Sequence, residues 1–415
     1  MKNVTGFLNQ YVVPPLTALS ENTCMSAIRA GMVAVVPLTI IGGLFMVVSF
    51  LPVAGWDEWV KPYLPVLQIP VSATFGLLAV FVCFAIGYDL GKRLKQEAIV
   101  SASMATLVFL MLQLEVTGQA LSMKELGSAG LFTAILIALG SVYVQKFFTD
   151  RNLVIKLPPN VPPIVYESFL SLVPMTVLVV VFWLLRFVLG IDLNHLVQAA
   201  FSPLVFALNT LPGILTFAFL VTLLWSVGIN GDNTLDAIVG PIFLQYLAAN
   251  VEATAQGQPL PYVTALGFFT SFVNVGGTGA TIALALIMCT SKEPGFRKVS
   301  RLSLPTQIFQ INEPIFFGFP IVLNPIFMVP YVLNALILTT GSFLLMDANV
   351  IQKPFVNVPW TTPPIIGHYL VTGGDWKAAL WGAVSIGIAM AVYYPFAKAA
   401  ERQRLNAEAA GQAHE

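Results

Sequence analysis

Glu313 is the residue of this sequence best placed to do chemistry. It stands in Gln310-Ile311-Asn312-Glu313-Pro314-Ile315-Phe316-Phe317-Gly318-Phe319-Pro320, with Leu304-Pro305 upstream and Leu323-Asn324-Pro325 downstream. A carboxylate in so apolar a neighbourhood is costly, and ionisable residues kept in such places usually serve a function. The prolines and the glycine prevent a smooth helix and free backbone groups. A carboxylate beside free backbone dipoles and amide side chains can grip hydroxyl groups in pairs. The alternative is that Glu313 ends a span and is merely solvated.

Two further constellations could line a site with it. Val227-Gly228-Ile229-Asn230-Gly231-Asp232-Asn233 gathers polar groups after an apolar run. Asn230, Asp232 and Asn233 are candidate ligands for a polar solute, but Asn-Gly is also a turn signal and Asp232 can cap the next helix. Asn274-Val275-Gly276-Gly277-Thr278-Gly279-Ala280-Thr281 lies inside another apolar run. Its glycines would let backbone approach a ligand, with Gly277, Thr278 and Thr281 as the candidates, or would let two helices pack closely. No Lys follows and no strand precedes, so it is not a nucleotide loop. His368 follows a broken apolar segment, Pro359–His368, and is a further candidate. Asp89 reads as a helix end beside Tyr88, His195 as an interfacial residue, and Asp236 as either a cap or a site residue. Trp183, Trp225 and Trp381 could stack on a sugar ring or belong to interfacial belts. Cys24, Cys83 and Cys289 stand apart and the chain has 3 histidines, so no metal spacing exists and neither metal nor cofactor is expected.

The elements that hold these residues must be membrane helices. Of 415 residues, 57% are hydrophobic and 10% charged. A soluble domain carries about a quarter charged residues. The net charge of +0 gives no electrostatic case for a nucleic-acid partner. Apolar runs, most near the roughly 20 residues that cross a bilayer, predict ten spans, of which two of the later ones look short and one looks long. These are Ala27–Leu51, Ser72–Gly91, Ala98–Val116, Ala129–Phe147, Ser168–Leu189, Ile214–Val227, Leu235–Ala249, Tyr262–Cys289, Phe316–Leu344 and Ala378–Pro395. The N-terminus does not read as a cleaved signal peptide. The expected class is an all-α polytopic membrane protein with about ten transmembrane helices, re-entrant hairpins where Pro and Gly break the apolar runs, and one interfacial amphipathic helix. That helix is expected within Ile191–Pro212, where Leu193, Leu196, Val197, Ala200 and Leu204 recur at helical spacing. It divides a five-span unit, 1–190, from a second membrane unit, 213–397, with 191–212 as linker and 398–415 as a fraying cytoplasmic tail. With ten spans and both termini inside, Lys2, Arg29, and the clusters at Lys92–Lys95, Lys146–Lys156, Lys292–Arg301 and Lys398–Arg404 are cytoplasmic. Only Lys61, Lys124, Arg186, Lys353 and Lys377 fall outside, in keeping with the positive-inside rule.

These motifs support a resemblance. Asn312-Glu313-Pro314-Ile315-Phe316-Phe317-Gly318-Phe319-Pro320-Ile321-Val322-Leu323-Asn324-Pro325 resembles the signature of the enzyme IIC components of the lactose/cellobiose/diacetylchitobiose phosphotransferase family. Gly276-Gly277-Thr278-Gly279-Ala280-Thr281 is similar to that family's GGSGAT run, and Gly228-Ile229-Asn230-Gly231 to its GIHG segment, in the same order along nearly the whole chain. The resemblance implies ten spans in two domains in the bacterial cell membrane, a homodimer formed through the first domain, and a sugar site in the second. It implies a phosphoryl group delivered from a cysteine of a separate IIB subunit, itself served by IIA. The family's site glutamate maps to Glu313, its motif neighbour to Asn312 and its site histidine to Asn230. Asparagine donates and accepts hydrogen bonds but is no base at neutral pH, which leaves Glu313 to orient or deprotonate the sugar hydroxyl.

The expected function is a sugar permease subunit for a β-linked disaccharide such as cellobiose, with no phosphoryl transfer unless IIB is present. An ion-coupled secondary transporter of a small polar solute is the alternative, since broken helices and a midplane carboxylate fit that class too. A membrane enzyme acting on a lipid-linked sugar would want paired carboxylates or a metal cluster.

Overall fold

A computed structural model describes residues 21–50, 55–115, 120–155, 158, 169–319, 321–322 and 324–412. Among them the chain is helical and no strand forms. The helices of the first part are α1 (Thr23–Ala34), α2 (Val36–Ser49), α3 (Leu64–Phe75), α4 (Leu78–Arg93), α5 (Ala98–Leu112), α6 (Leu131–Asp150) and α7 (Leu172–Trp183). Then come α8 (Leu193–Leu208), α9 (Leu211–Ser226) and α10 (Gly231–Ala255). Last are α11 (Ile282–Met288), α12 (Pro294–Ile308), α13 (Glu313–Gly318), α14 (Pro325–Asp347), α15 (Ile366–Val371) and α16 (Trp376–Gln412).

Local chemistry sets many of the starts. Asn22, Glu97, Asp192, Thr210, Asn230, Glu293 and Asn324 each accept from a backbone N–H of the first turn that follows. Each satisfies a donor that the helix itself cannot. Packing follows from small residues. In α4, Leu78, Val82, Ile86 and Leu90 recur on one buried stripe. A Cβ on Gly87 would sit 3.0 Å from the Ala102 Cα of α5, and one on Gly91 2.7 Å from Ser101. In a bilayer, burying such a stripe removes no water, so close approach and dispersion hold the pair. The outer faces carry large exposed apolar side chains, among them Leu44, Val66, Ile69, Phe206 and Leu380, as lipid contact requires.

The structure corrects several expected spans. Among the described residues six helices are long and apolar enough to cross a membrane, or up to eight if each of two sharply bent pairs makes one crossing. Two further apolar helices, α5 and α9, are shorter. The run expected at Tyr262–Cys289 is not one continuous helix. A wide helical turn at Phe268–Val273 and a single turn at Thr278–Ala280 precede α11, with a 46° bend. The run at Phe316–Leu344 divides into α13 and α14. The ends expected at Leu51, Val116 and Ser168 lie outside the described residues. The Ile191–Pro212 segment does form a helix, α8, which turns 87° from the preceding one. Asp89 stands one turn before the end of α4 in an ion pair with Arg93, and His195 is exposed on α8.

The tail does not fray where expected. α16 continues through Gln412, well past Lys398. Glu401 is the reason: one oxygen accepts from Ser291 Oγ at 2.6 Å and the Lys292 N–H at 2.5 Å, and the other pairs with Lys398 at 2.7 Å. Arg404 lies over the Phe296 ring at 5.7 Å. Glu401→Ala leaves these donors without their acceptor, at about 1–3 kcal/mol of local stability. The expected outcome in detergent is roughly tenfold faster tryptic cleavage at Arg402 and Arg404, with the rest of the chain unaffected.

Candidate functional site

The site begins where α9 ends. Gly228 turns the chain at φ +88°, and Asn230 Oδ1 caps α10 by accepting the Asn233 N–H at 2.9 Å. The helix cap is therefore formed, and the same residue lines a cavity with its Nδ2 unspent among the described residues. Asp232 sits in the first turn of α10, where the helix dipole favours an anion. Its Oδ2 accepts from Trp225 Nε1 at 2.8 Å and Thr278 Oγ1 at 2.9 Å, and its Oδ1 from Asn274 Nδ2 at 3.3 Å. Asp232 thereby joins the end of α9 to the glycine run.

The glycine run is irregular backbone that the next motif ties down. Gly277 takes φ +103°, and a Cβ there would stand 2.5 Å from the Asn312 side chain. Only glycine tolerates both constraints. Gln310 Oε1 accepts the N–H groups of Gly276 at 3.2 Å and Gly277 at 3.3 Å, while its Nε2 donates to the carbonyls of Thr270 and Thr362. Asn312 Nδ2 donates to the Thr278 carbonyl at 3.0 Å and to Thr281 Oγ1 at 3.1 Å. The glycines admit close packing, and Gly277 forms part of the cavity wall.

Glu313 opens α13, directly after Asn312. Despite its apolar sequence neighbours it is exposed, as the solvated alternative has it, and it lines the cavity. No hydrogen bond or ion pair engages it among the described residues, so its carboxylate is available to a ligand. The cavity measures about 420 Å³, within the range of roughly 300–1,000 Å³ usual for small-molecule sites.

The structure brings Asn230, Asp232, Asn233, Gly277, Thr278, Asn312 and Glu313 together around this space. Asp236 and Trp225 line it as well. Thr281 stands behind the wall, held by Asn312. His368 is not at the wall. It is fully buried, edge-on to Phe272 and packed against Gly382, and its Nδ1 accepts from the Ile365 N–H at 3.3 Å. Trp183 is exposed on α7, and Trp381 donates to Ser342 away from the cavity. Sequence reasoning missed Gln310 as a backbone anchor, and Asn357 and Trp360 as cavity residues. The one signal was the broken apolar segment that starts at Pro359. No group of three or more potential metal ligands exists among the described residues.

The family model described as "Phosphotransferase system, EIIC" matches residues 29–335. The cellobiose-specific EIIC component of the phosphotransferase system of Geobacillus stearothermophilus is 34% identical, over 99% of this chain and 97% of its own length. The lactose-specific EIICB component of Staphylococcus aureus (strain N315) is 29% identical, over 95% of this chain and 72% of that protein. The crystal structure of the transporter ChbC, the IIC component from the N,N'-diacetylchitobiose-specific phosphotransferase system, matches with a TM-score of 0.91 and 31% identity, covering 97% of this chain and 99% of that one.

Asp232→Ala removes one acceptor group and strands the buried donors of Trp225, Thr278 and Asn274. A loss of more than about 2 kcal/mol follows. A lower melting temperature in detergent and altered Trp fluorescence check this, with Asp232→Asn less damaging because one oxygen remains.

Proposed function

The chain belongs to the EIIC family of the phosphotransferase system, and from that premise we propose that its cavity takes a β-linked disaccharide of the cellobiose or diacetylchitobiose kind. It is a multi-pass membrane protein and the sugar permease subunit of such a system, whose sugar is phosphorylated through a IIB subunit. The ion-coupled alternative finds no support in its fold or its relatives.

The observation that carries the substrate-site reading is the unpartnered Glu313 carboxylate at the cavity wall. A sugar hydroxyl is oriented by this carboxylate while Asn230, Asn233 and Asn312 position the ring. The hydroxyl oxygen attacks the phosphorus carried on the IIB cysteine, the P–S bond breaks, the thiolate stays on IIB, and the hydroxyl proton passes to Glu313. Phosphoryl transfer depends on positioning and electrostatics more than on covalent chemistry from the acceptor side. Asn230 contributes hydrogen bonds and no proton transfer.

The wider organisation in this reading is a homodimer built on residues 1–190, a substrate unit over 213–397 with α8 as the interfacial linker, ten membrane passages counting the short and bent helices, and cytoplasmic termini where IIB and IIA act. The density of basic residues at the predicted inner loops supports that orientation.

Two measurements test this. In vesicles supplied with IIA and IIB, Glu313→Gln is expected to lower sugar phosphorylation a hundredfold or more while affinity falls less than tenfold; wild-type turnover in the variant removes Glu313 from its role. Light scattering of the detergent-purified protein is expected to give twice the chain mass.

A further inference from the structure

One wall of the cavity is made by a residue whose other end grips a different part of the fold. Asn357 lines the cavity beside Val36 of α2, although its side chain and backbone are only 7% exposed. Its Nδ2 meets Thr39 Oγ1 of α2 at 2.7 Å. The segment around it is pinned: the Phe355 and Val356 N–H groups both reach the Val371 carbonyl at 3.1 Å, and the Asn357 backbone nitrogen lies where a Cβ on Gly43 would come within 3.2 Å.

The chemistry of Thr39 decides which way the Asn357 amide points. A threonine hydroxyl has one hydrogen to give. That hydrogen is directed along α2 to the Val36 carbonyl at 2.9 Å, an acceptor that cannot return a proton. Towards Asn357 the Thr39 oxygen can therefore only accept. The amide must turn its nitrogen to Thr39 and its oxygen away. That oxygen has no protein partner among the described residues and is not sealed from the cavity.

Among the other cavity amides, Gln310 is engaged at both ends, Asn230 has its oxygen engaged and its nitrogen unspent, and Asn312 and Asn274 have only their nitrogens engaged, as Asn357 does. We propose that Asn357 is a specificity-determining residue that accepts a hydrogen from one hydroxyl or amide N–H of the bound sugar, and that Thr39 enforces that polarity from α2. The inference rests on the disaccharide reading above. It implies that a sugar bound here is held by both the glycine-run side of the cavity and Asn357, whose amide is set by Thr39 of α2.

The test is calorimetry on the purified full-length protein with cellobiose, N,N'-diacetylchitobiose and lactose, then with single-deoxy derivatives of whichever disaccharide binds best. Asn357→Ala is expected to weaken the parent sugar about tenfold. One deoxy derivative is expected to bind the wild type about tenfold worse than the parent sugar, yet bind Asn357→Ala no worse than that sugar does. Thr39→Val is expected to weaken binding severalfold, to add nothing to Asn357→Ala, and to be rescued by Thr39→Ser. Should Asn357→Ala fail to fold, Thr39→Val with the deoxy panel carries the same comparison. Wild-type affinity in Asn357→Ala overturns the inference, and so does an equal loss for every derivative with a lowered melting temperature, which is the mark of a pinning role. If the wild type binds none of the three disaccharides, the transport reading falls and this one with it. If it binds and the variant binds as tightly, only this inference falls.

Discussion

Unpaired backbone groups cannot be left to water inside an apolar fold, and the rest of this molecule is arranged around meeting that constraint. The stretch from Gly276 to Thr281 departs from regular helix between two apolar segments. Its N–H and C=O groups are met instead by side chains: Gln310 takes two N–H groups and Asn312 supplies a donor to the Thr278 carbonyl. Gln310 also donates to Thr270 and Thr362, so one amide holds three separate segments of chain. Tyr393 of the last long helix adds a hydrogen bond to the Gly279 carbonyl at 2.8 Å. Irregular backbone here is a consequence of glycine geometry, and these side-chain partners help it persist.

This lacing separates polar groups that are spent from those that are free. Asp232 accepts from three side chains and acts as the junction between α9, α10 and the glycine run. A charged group so engaged positions its neighbours well and reacts poorly. Glu313, one residue beyond the laced Asn312, carries its carboxylate into the cavity unengaged. The two acids thus differ, one holding the wall in place and the other facing the cavity without a partner among the described residues. The difference comes from the bonds each makes, since both stand in the first turn of a helix.

The same distinction explains which residues could be read along the chain. Motif spacing located Glu313, Asn312, Asn230 and the glycine run, because a carboxylate, amides and glycines inside apolar sequence are anomalies that demand a reason. Asn357 was not anomalous in sequence: it belongs to a polar, proline-bearing loop, and only its contact with Thr39, some 318 positions away, gives it meaning. His368 shows the converse. A histidine after a broken apolar segment invited a site role, yet the turn at Ile365 and the approach of Gly382 enclose the ring in the core.

Composition and the long apolar runs determined that this chain is a helical membrane protein, since a tenth of charged residues cannot cover a water-facing surface and runs of roughly 20 apolar residues cross a bilayer as helices. Local pattern determined the helix starts, because caps act within three residues of themselves, and it marked the motifs that carry the family. Tertiary structure decided where apolar runs bend, how many of them are long enough to cross, and that the tail stays helical through the contacts of Glu401 with Ser291 and Lys292. It also decided which polar atoms remain available at the cavity. Availability is what is left after every other hydrogen bond has been made, and those partners lie tens to hundreds of residues apart, beyond the reach of any local rule.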